Sequence, residues 1–159
     1  MQGCHMGIRV LLVDDHPVVL RGLRALLGRE PGLEIVGEAL DGESAVRAAR
    51  ELAPDIVVTD ISMPGLDGIE VTRQILQNAP RTRVVVLSLE ADRLTMAEAF
   101  QAGASAYVSK CGPPEEIVSA VRAVAAGQTY VTPPSSLVSQ RNEILTKQAV
   151  REGLTPLER

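Results

Sequence analysis

The chain of 159 residues is long enough to bury one sizeable core, and 45% hydrophobic with 23% charged residues reads as one soluble globular main domain. A net charge of −4 and 2% aromatic content argue against a surface that grips nucleic acid by neutralising phosphates and stacking bases. No apolar run approaches the roughly 20 residues of a membrane helix, and Cys4 and Cys111 form neither a metal nor a disulfide spacing, which fits a reducing, cytoplasmic location.

The first six residues, "MQGCHM", hold no apolar stretch long enough for a signal peptide and read as a cloning remnant. From Ile8 onward, short β-branched runs alternate with amphipathic stretches. The runs predict strands over 8–13, 33–39, 55–60, 83–88 and 106–110. Helices are expected at 17–28, 42–52, 66–78, 92–102 and 114–126, with Gly103 and Gly127 closing the last two and Pro54 and Pro80 following the second and third. The central strands are apolar on both faces ("VLLV", "IVV", "VVVL"), as a parallel sheet covered by helices on each side requires. The expected fold is therefore α/β, a doubly wound five-stranded parallel sheet. From Thr132 the turn-rich "TPPSS" gives way to "LVSQRNEILTKQAVREG", read as one amphipathic linker helix too short to be a coiled coil. The chain closes on "LTPLER", a helix start signal with no helix behind it.

In such sheets the functional site lies beyond the carboxyl ends of the strands, where strand order reverses. Asp14 and Asp15 end the first strand and Asp60 the third, so three carboxylates would converge if these strands are neighbours. Like charges that close need a proton or a divalent cation, and an oxygen-rich pocket with open positions suits Mg²⁺. Ser88 ends the fourth strand and Lys110 the fifth. A cation, an ammonium, a hydroxyl and a carboxylate at neighbouring strand ends match what phosphoryl transfer onto Asp60 needs. Taken singly, each has a plainer reading. Asp14 or Asp15 suits a helix N-cap before Pro17, Asp60 a turn or cap, and Lys110 a solvated surface. His16 reads as a turn or surface residue rather than a metal ligand, since no second histidine lies nearby.

The motifs "LLVDDHP", "VVTDISMPGLDGIE", "VVVLS" and "AGASAYVSK", in this order and spacing, resemble the receiver domain of bacterial two-component response regulators over residues 7–131. The resemblance implies a flavodoxin-like (βα)5 receiver fold with strand order 2-1-3-4-5. It implies Asp60 as phosphoacceptor, Asp15 as a direct Mg²⁺ ligand, Asp14 acting mainly through water, and the main-chain carbonyl of Ser62 as a further ligand. Ser88 and Lys110 would contact the phosphoryl group, and Ser88 and Tyr107 would form the switch, although Tyr107 also suits an ordinary half-buried strand position. Ser62 and Glu90 sit where the family tunes phosphoryl lifetime; Glu90 equally suits an exposed acid. Three phrases, "DDHPVVLRGLRALL", "KCGPPEEIVSAVRAVAAGQTYV" and "LTPLER", resemble the NarL/FixJ (LuxR-type) transcriptional regulators. That subfamily implies a linker over 132–153 and, from 154, the start of a helix-turn-helix DNA-binding domain cut short at 159.

The implied function is a regulator, enzymatic only in its own phosphorylation and dephosphorylation, with a sensor histidine kinase as donor. Dimerisation on phosphorylation and promoter DNA bound through the missing domain would follow, with no membrane partner. Many receivers carry Pro after the lysine, where "KCG" stands here, leaving the Lys110–Cys111 peptide conformation open. Two other readings remain. One is a phosphate-independent receiver-like interaction module. The other is a haloacid-dehalogenase-type phosphohydrolase, which wants D-x-D where this chain has adjacent acids followed by His16.

Overall fold

A computed structural model describes residues 7–89 and 92–132. The expectations for the first six residues, Glu90, the linker helix and the terminal "LTPLER" lie outside these residues. The elements in chain order are β1 (Ile8–Val13), α1 (Pro17–Gly28), β2 (Leu33–Ala39), α2 (Gly42–Leu52), β3 (Ile56–Asp60) and α3 (Gly68–Asn78). They continue with β4 (Arg83–Ser88), α4 (Arg93–Gln101), β5 (Ala106–Ser109), α5 (Glu115–Ala125) and β6 (Tyr130–Val131). Every strand pair is parallel, in the order β2-β1-β3-β4-β5-β6.

The sheet therefore has six strands where five were expected. Two residues carry no alternation to read, so β6 is set by its partner: Tyr130 N–H donates to Ser105 O and Thr132 N–H to Tyr107 O. The Thr132 hydroxyl oxygen then accepts from Ser109 N–H at 2.7 Å, closing the edge beyond β5. Tyr130 clips this edge to α5, its hydroxyl donating to Glu116 Oε1 at 2.6 Å. Burial and that carboxylate push the phenol pKa up to about 12. A phenol raised above its unfolded value adds stability present below about pH 10 and lost as pH rises through about 12. Tyr130→Phe is expected to lower stability by about 1 kcal/mol in urea unfolding at neutral pH. Absorbance titration should show its high-pH phenol transition missing.

Successive side chains of the central strands point to opposite faces, which builds two cores. Val10, Leu12, Val58, Val85, Leu87 and Val108 meet Leu20, Leu23 and Leu27 of α1 and Ile117, Val121 and Val124 of α5. On the other face Leu11, Val13, Val57, Val84, Val86 and Tyr107 meet Ala45 and Ala49 of α2, Val71 and Ile75 of α3, and Met96 and Ala99 of α4. The edge strand β2 is less apolar, with Glu34 and Glu38 exposed. Caps set the helix starts. Asp41 accepts from Ser44 N–H at 2.7 Å and Asp67 from Glu70 N–H at 2.9 Å, so α3 begins at Gly68, two residues later than the periodicity of Leu66 implies. Among the described residues no helix is long and apolar enough to cross a membrane.

Candidate functional site

The chain leaves β1 toward β2 on one side and returns to β3 on the other, so strand order reverses between β1 and β3. The carboxyl ends of these two strands carry Asp14, Asp15 and Asp60. The central strands that bury them are largely apolar, and Asp14 is 0% and Asp60 4% exposed. Neither carries the plain role open to it singly. The N-cap of α1 is His16, with no side-chain cap bond and Pro17 at the first turn, and the N-cap of α3 is Asp67.

Lys110, one residue past β5, reaches across the strand ends. Its Nζ donates to Asp14 Oδ2 at 2.8 Å and lies 3.1 Å from Asp60 Oδ1, with its side chain only 14% exposed. This is no solvated surface lysine. Burial alone lowers its pKa, but the hydrogen bond to Asp14 and the charges of Asp60 and Asp14 outweigh it, leaving the ammonium held above its usual range. For Asp60, burial is the largest influence and raises the carboxyl. Lys110 opposes it, Asp14 reinforces it, and a Ser62 main-chain hydrogen bond lowers it, with a net upward shift.

The other Asp14 oxygen, Oδ1, accepts from His16 N–H at 2.9 Å and lies 3.0 Å from His16 Nδ1. Asp15 Oδ1 is 3.0 Å from the same nitrogen, yet it is buried and accepts no hydrogen bond. One ligand atom from each of Asp14, Asp15, His16 and Asp60 falls within 4.8 Å of the others. With all three carboxylates ionised, a single ammonium leaves this pocket two positive charges short of balance. The deficit, the unsatisfied Asp15 oxygen and the hard donors fit a divalent cation such as Mg²⁺.

Ser88 closes β4 with its side chain buried, and its carbonyl accepts from Lys110 N–H at 2.8 Å. Tyr107 is fully buried on the α4 side of the sheet rather than half-buried, packed in the core that holds Met96 and Ala99. Ser62 is exposed in the loop after β3, where Met63 is buried and Gly65 takes φ +76°. All described peptide bonds are trans, including Lys110–Cys111.

Two contributors were not legible as site residues in the sequence. The imidazole of His16 is exposed, as a turn residue would be, but Nδ1 faces the acids. Gly68 lets α3 start against the end of β3: a Cβ there would collide with Asp60 O and sit 2.8 Å from Ile61 Cα. The Asp67-Gly68 pair is the only hint, since it reads as a turn in any context. Gly68→Ala must displace backbone at Asp60 and is expected to cost about 3 kcal/mol. A lower urea midpoint at unchanged slope checks this.

A model of the response regulator receiver domain matches residues 10–122. The chain belongs to the response regulator receiver family. Among curated relatives, the receiver is 44% identical over 124 residues to the response regulator UvrY of Escherichia coli, covering 78% of this chain and 57% of that protein. It is 43% identical over 126 residues to the response regulator GacA of Pseudomonas aeruginosa, covering 79% and 59%. The chain thus spans less than three-fifths of the length of these relatives. Among solved structures, a LuxR-family two-component response regulator from an Aurantimonas species superposes with TM-score 0.80 at 40% identity, covering 90% of this chain and 99% of that one. The receiver domain of RcsB from Salmonella enterica, solved with a beryllium fluoride phosphomimetic, gives TM-score 0.76 at 27% identity, covering 84% and 98%.

Proposed function

We propose that this chain is the phosphoacceptor part of a cytoplasmic two-component response regulator, with residues 7–131 as the receiver. Residues 132–153 would serve as a linker, and 154–159 as the start of a helix-turn-helix output domain. The observation that carries the reading is the Lys110 ammonium held between Asp14 and Asp60 at the strand-order reversal.

Asp60 is the nucleophile. Its carboxylate oxygen attacks phosphorus of a phosphohistidine on the cognate sensor kinase; the new P–O bond forms as the P–N bond breaks, and the leaving imidazole takes its proton from solvent. Water later cleaves the acyl phosphate, releasing inorganic phosphate and restoring the carboxylate. Lys110 balances charge on the phosphoryl oxygens and Ser88 donates a hydrogen bond to them. Asp15, Asp14, Asp60 and the Ser62 main-chain carbonyl would hold Mg²⁺, which when bound supplies positive charge against those oxygens. Asp15 would be the direct ligand, because its buried Oδ1 has no hydrogen bond, whereas both Asp14 oxygens already have partners.

The output is a population shift. The added phosphoryl charge draws Ser88 inward, and Tyr107, buried against α4, moves with it and alters the α4-β5-α5 surface. Dimerisation would follow, with promoter DNA bound through a helix-turn-helix output domain. The LuxR-family likeness supports this output, as does the similarity to RcsB, solved as two dimers bound to two parallel DNAs. Ser62 and Glu90 set phosphoryl lifetime; an unchanged dephosphorylation rate in Glu90→Ala would remove Glu90 from that role.

Intact-mass measurement with acetyl phosphate and Mg²⁺ tests the reading. The expected gain is one phosphoryl group, absent with chelator and lost more completely in Asp15→Asn than in Asp14→Asn. No adduct with any donor would instead favour an interaction module that works without phosphate.

A further inference from the structure

We infer that His16 supplies an imidazole nitrogen to the cation pocket, so that the site takes a first-row transition-metal dication more tightly than Mg²⁺. This rests on the proposal that the acids hold a divalent cation. It adds a nitrogen donor to a set otherwise made of oxygens.

The ring is held where such a donor has to be. His16 has extended backbone (φ −109°, ψ 111°), its N–H is tied to Asp14 Oδ1 at 2.9 Å, and Pro17 fixes the next residue at the start of α1. Nδ1 then lies 3.0 Å from Asp14 Oδ1 and 3.0 Å from Asp15 Oδ1. Adjacent ligands on an octahedron with bonds of about 2.1 Å are separated by about 3 Å, so the gap from Nδ1 to Asp15 Oδ1 has the length of an octahedral edge, while the contact with Asp14 Oδ1 is a hydrogen bond that orients the ring. Asp15 Oδ1, buried and without a hydrogen bond, is the atom with most to gain from a shared ion. The ring itself is largely exposed, so an ion there would keep water on its outer positions.

Donor chemistry then decides selectivity. Carboxylates and carbonyls suit Mg²⁺, which sheds water reluctantly, whereas a neutral imidazole favours later first-row dications. The competing account makes His16 a local counter-charge to Asp14 and Asp15. A counter-charge would weaken every dication, and removing it would tighten all of them.

Calorimetric titration with Mg²⁺ and with Co²⁺ separates these. The chain has two histidines, so the full chain is used carrying Cys4→Ser and His5→Ala, which remove the other imidazole and a thiol. His16→Ala is expected to weaken Co²⁺ about ten-fold or more and to change Mg²⁺ affinity by less than about two-fold, with an altered cobalt visible spectrum. Since His16 makes no side-chain cap bond, the helix start should survive. Should alanine destabilise the chain, His16→Asn, a better cap, should give the same split. Equal loss of both ions, no loss of Co²⁺, or tighter binding of both overturns the inference, as does a thiolate-to-cobalt band assigning the ion to Cys111. Asp15→Asn locates any failure. If both ions still bind that variant, the acid pocket is not the cation site; if they do not, and His16→Ala changes nothing, only the histidine's part falls.

Discussion

Lys110→Ala is expected to slow phosphorylation of Asp60 roughly 100-fold or more and to lower stability by about 3 kcal/mol. The two effects have one source. Lys110 Nζ bonds Asp14 Oδ2 at 2.8 Å and lies 3.1 Å from Asp60 Oδ1, and both carboxylates are buried at the strand ends. Without the ammonium two buried acids lose their shared partner, which is far costlier than losing a surface ion pair. The same loss removes a charge aimed at the phosphoryl oxygens and leaves burial and Asp14 to raise the Asp60 carboxyl without the opposing ammonium. Labelling rates from acetyl phosphate and urea midpoints with and without Mg²⁺ measure both. Added Mg²⁺ should recover part of the stability and little of the rate.

Asp60→Asn is expected to abolish phosphorylation and yet to stabilise the fold by on the order of 1 kcal/mol at neutral pH. The amide fills the same space without the charge that burial penalises, and Lys110 keeps Asp14 as a partner. The pH dependence carries a definite sign. The folded carboxyl sits above its ordinary value of 3.8, chiefly through burial, so the wild type is favoured by protonation. That stability is fully present below about 3.8 and is lost as pH rises through the raised folded value. Asparagine is neutral throughout. Its advantage should be full at neutral pH and should vanish as pH falls through the Asp60 transition toward 3.8. Urea unfolding of both proteins in chelator-treated buffer checks this. An advantage independent of pH would show that the gain comes from packing.

Much of the fold was legible because local and global signals agree. The bounds 8–13, 17–28, 33–39 and 42–52 read from the sequence are those of β1, α1, β2 and α2, where Pro17 and Asp41 punctuate clear periodic runs. β6 was not legible, since two residues at a sheet edge are placed by Ser105 and Tyr107 rather than by their own pattern. The site divides the same way. Asp14, Asp15, Asp60, Ser88 and Lys110 were readable because a strand end fixes where a side chain begins. The ring position of His16 and the contact of Gly68 with Asp60 depend on loop conformations that spacing does not encode.

The most direct test of Asp60 as phosphoacceptor asks which residue carries the phosphoryl group. Phosphorylated protein treated with borohydride converts an acyl-phosphate aspartate to homoserine, which peptide mass spectrometry can locate. Phosphoryl transfer to Asp60 predicts homoserine at position 60 alone, appearing only when a divalent cation was present during labelling. Homoserine at position 14 or 15, or an unmodified position 60 in protein that has gained a phosphoryl group, would contradict it.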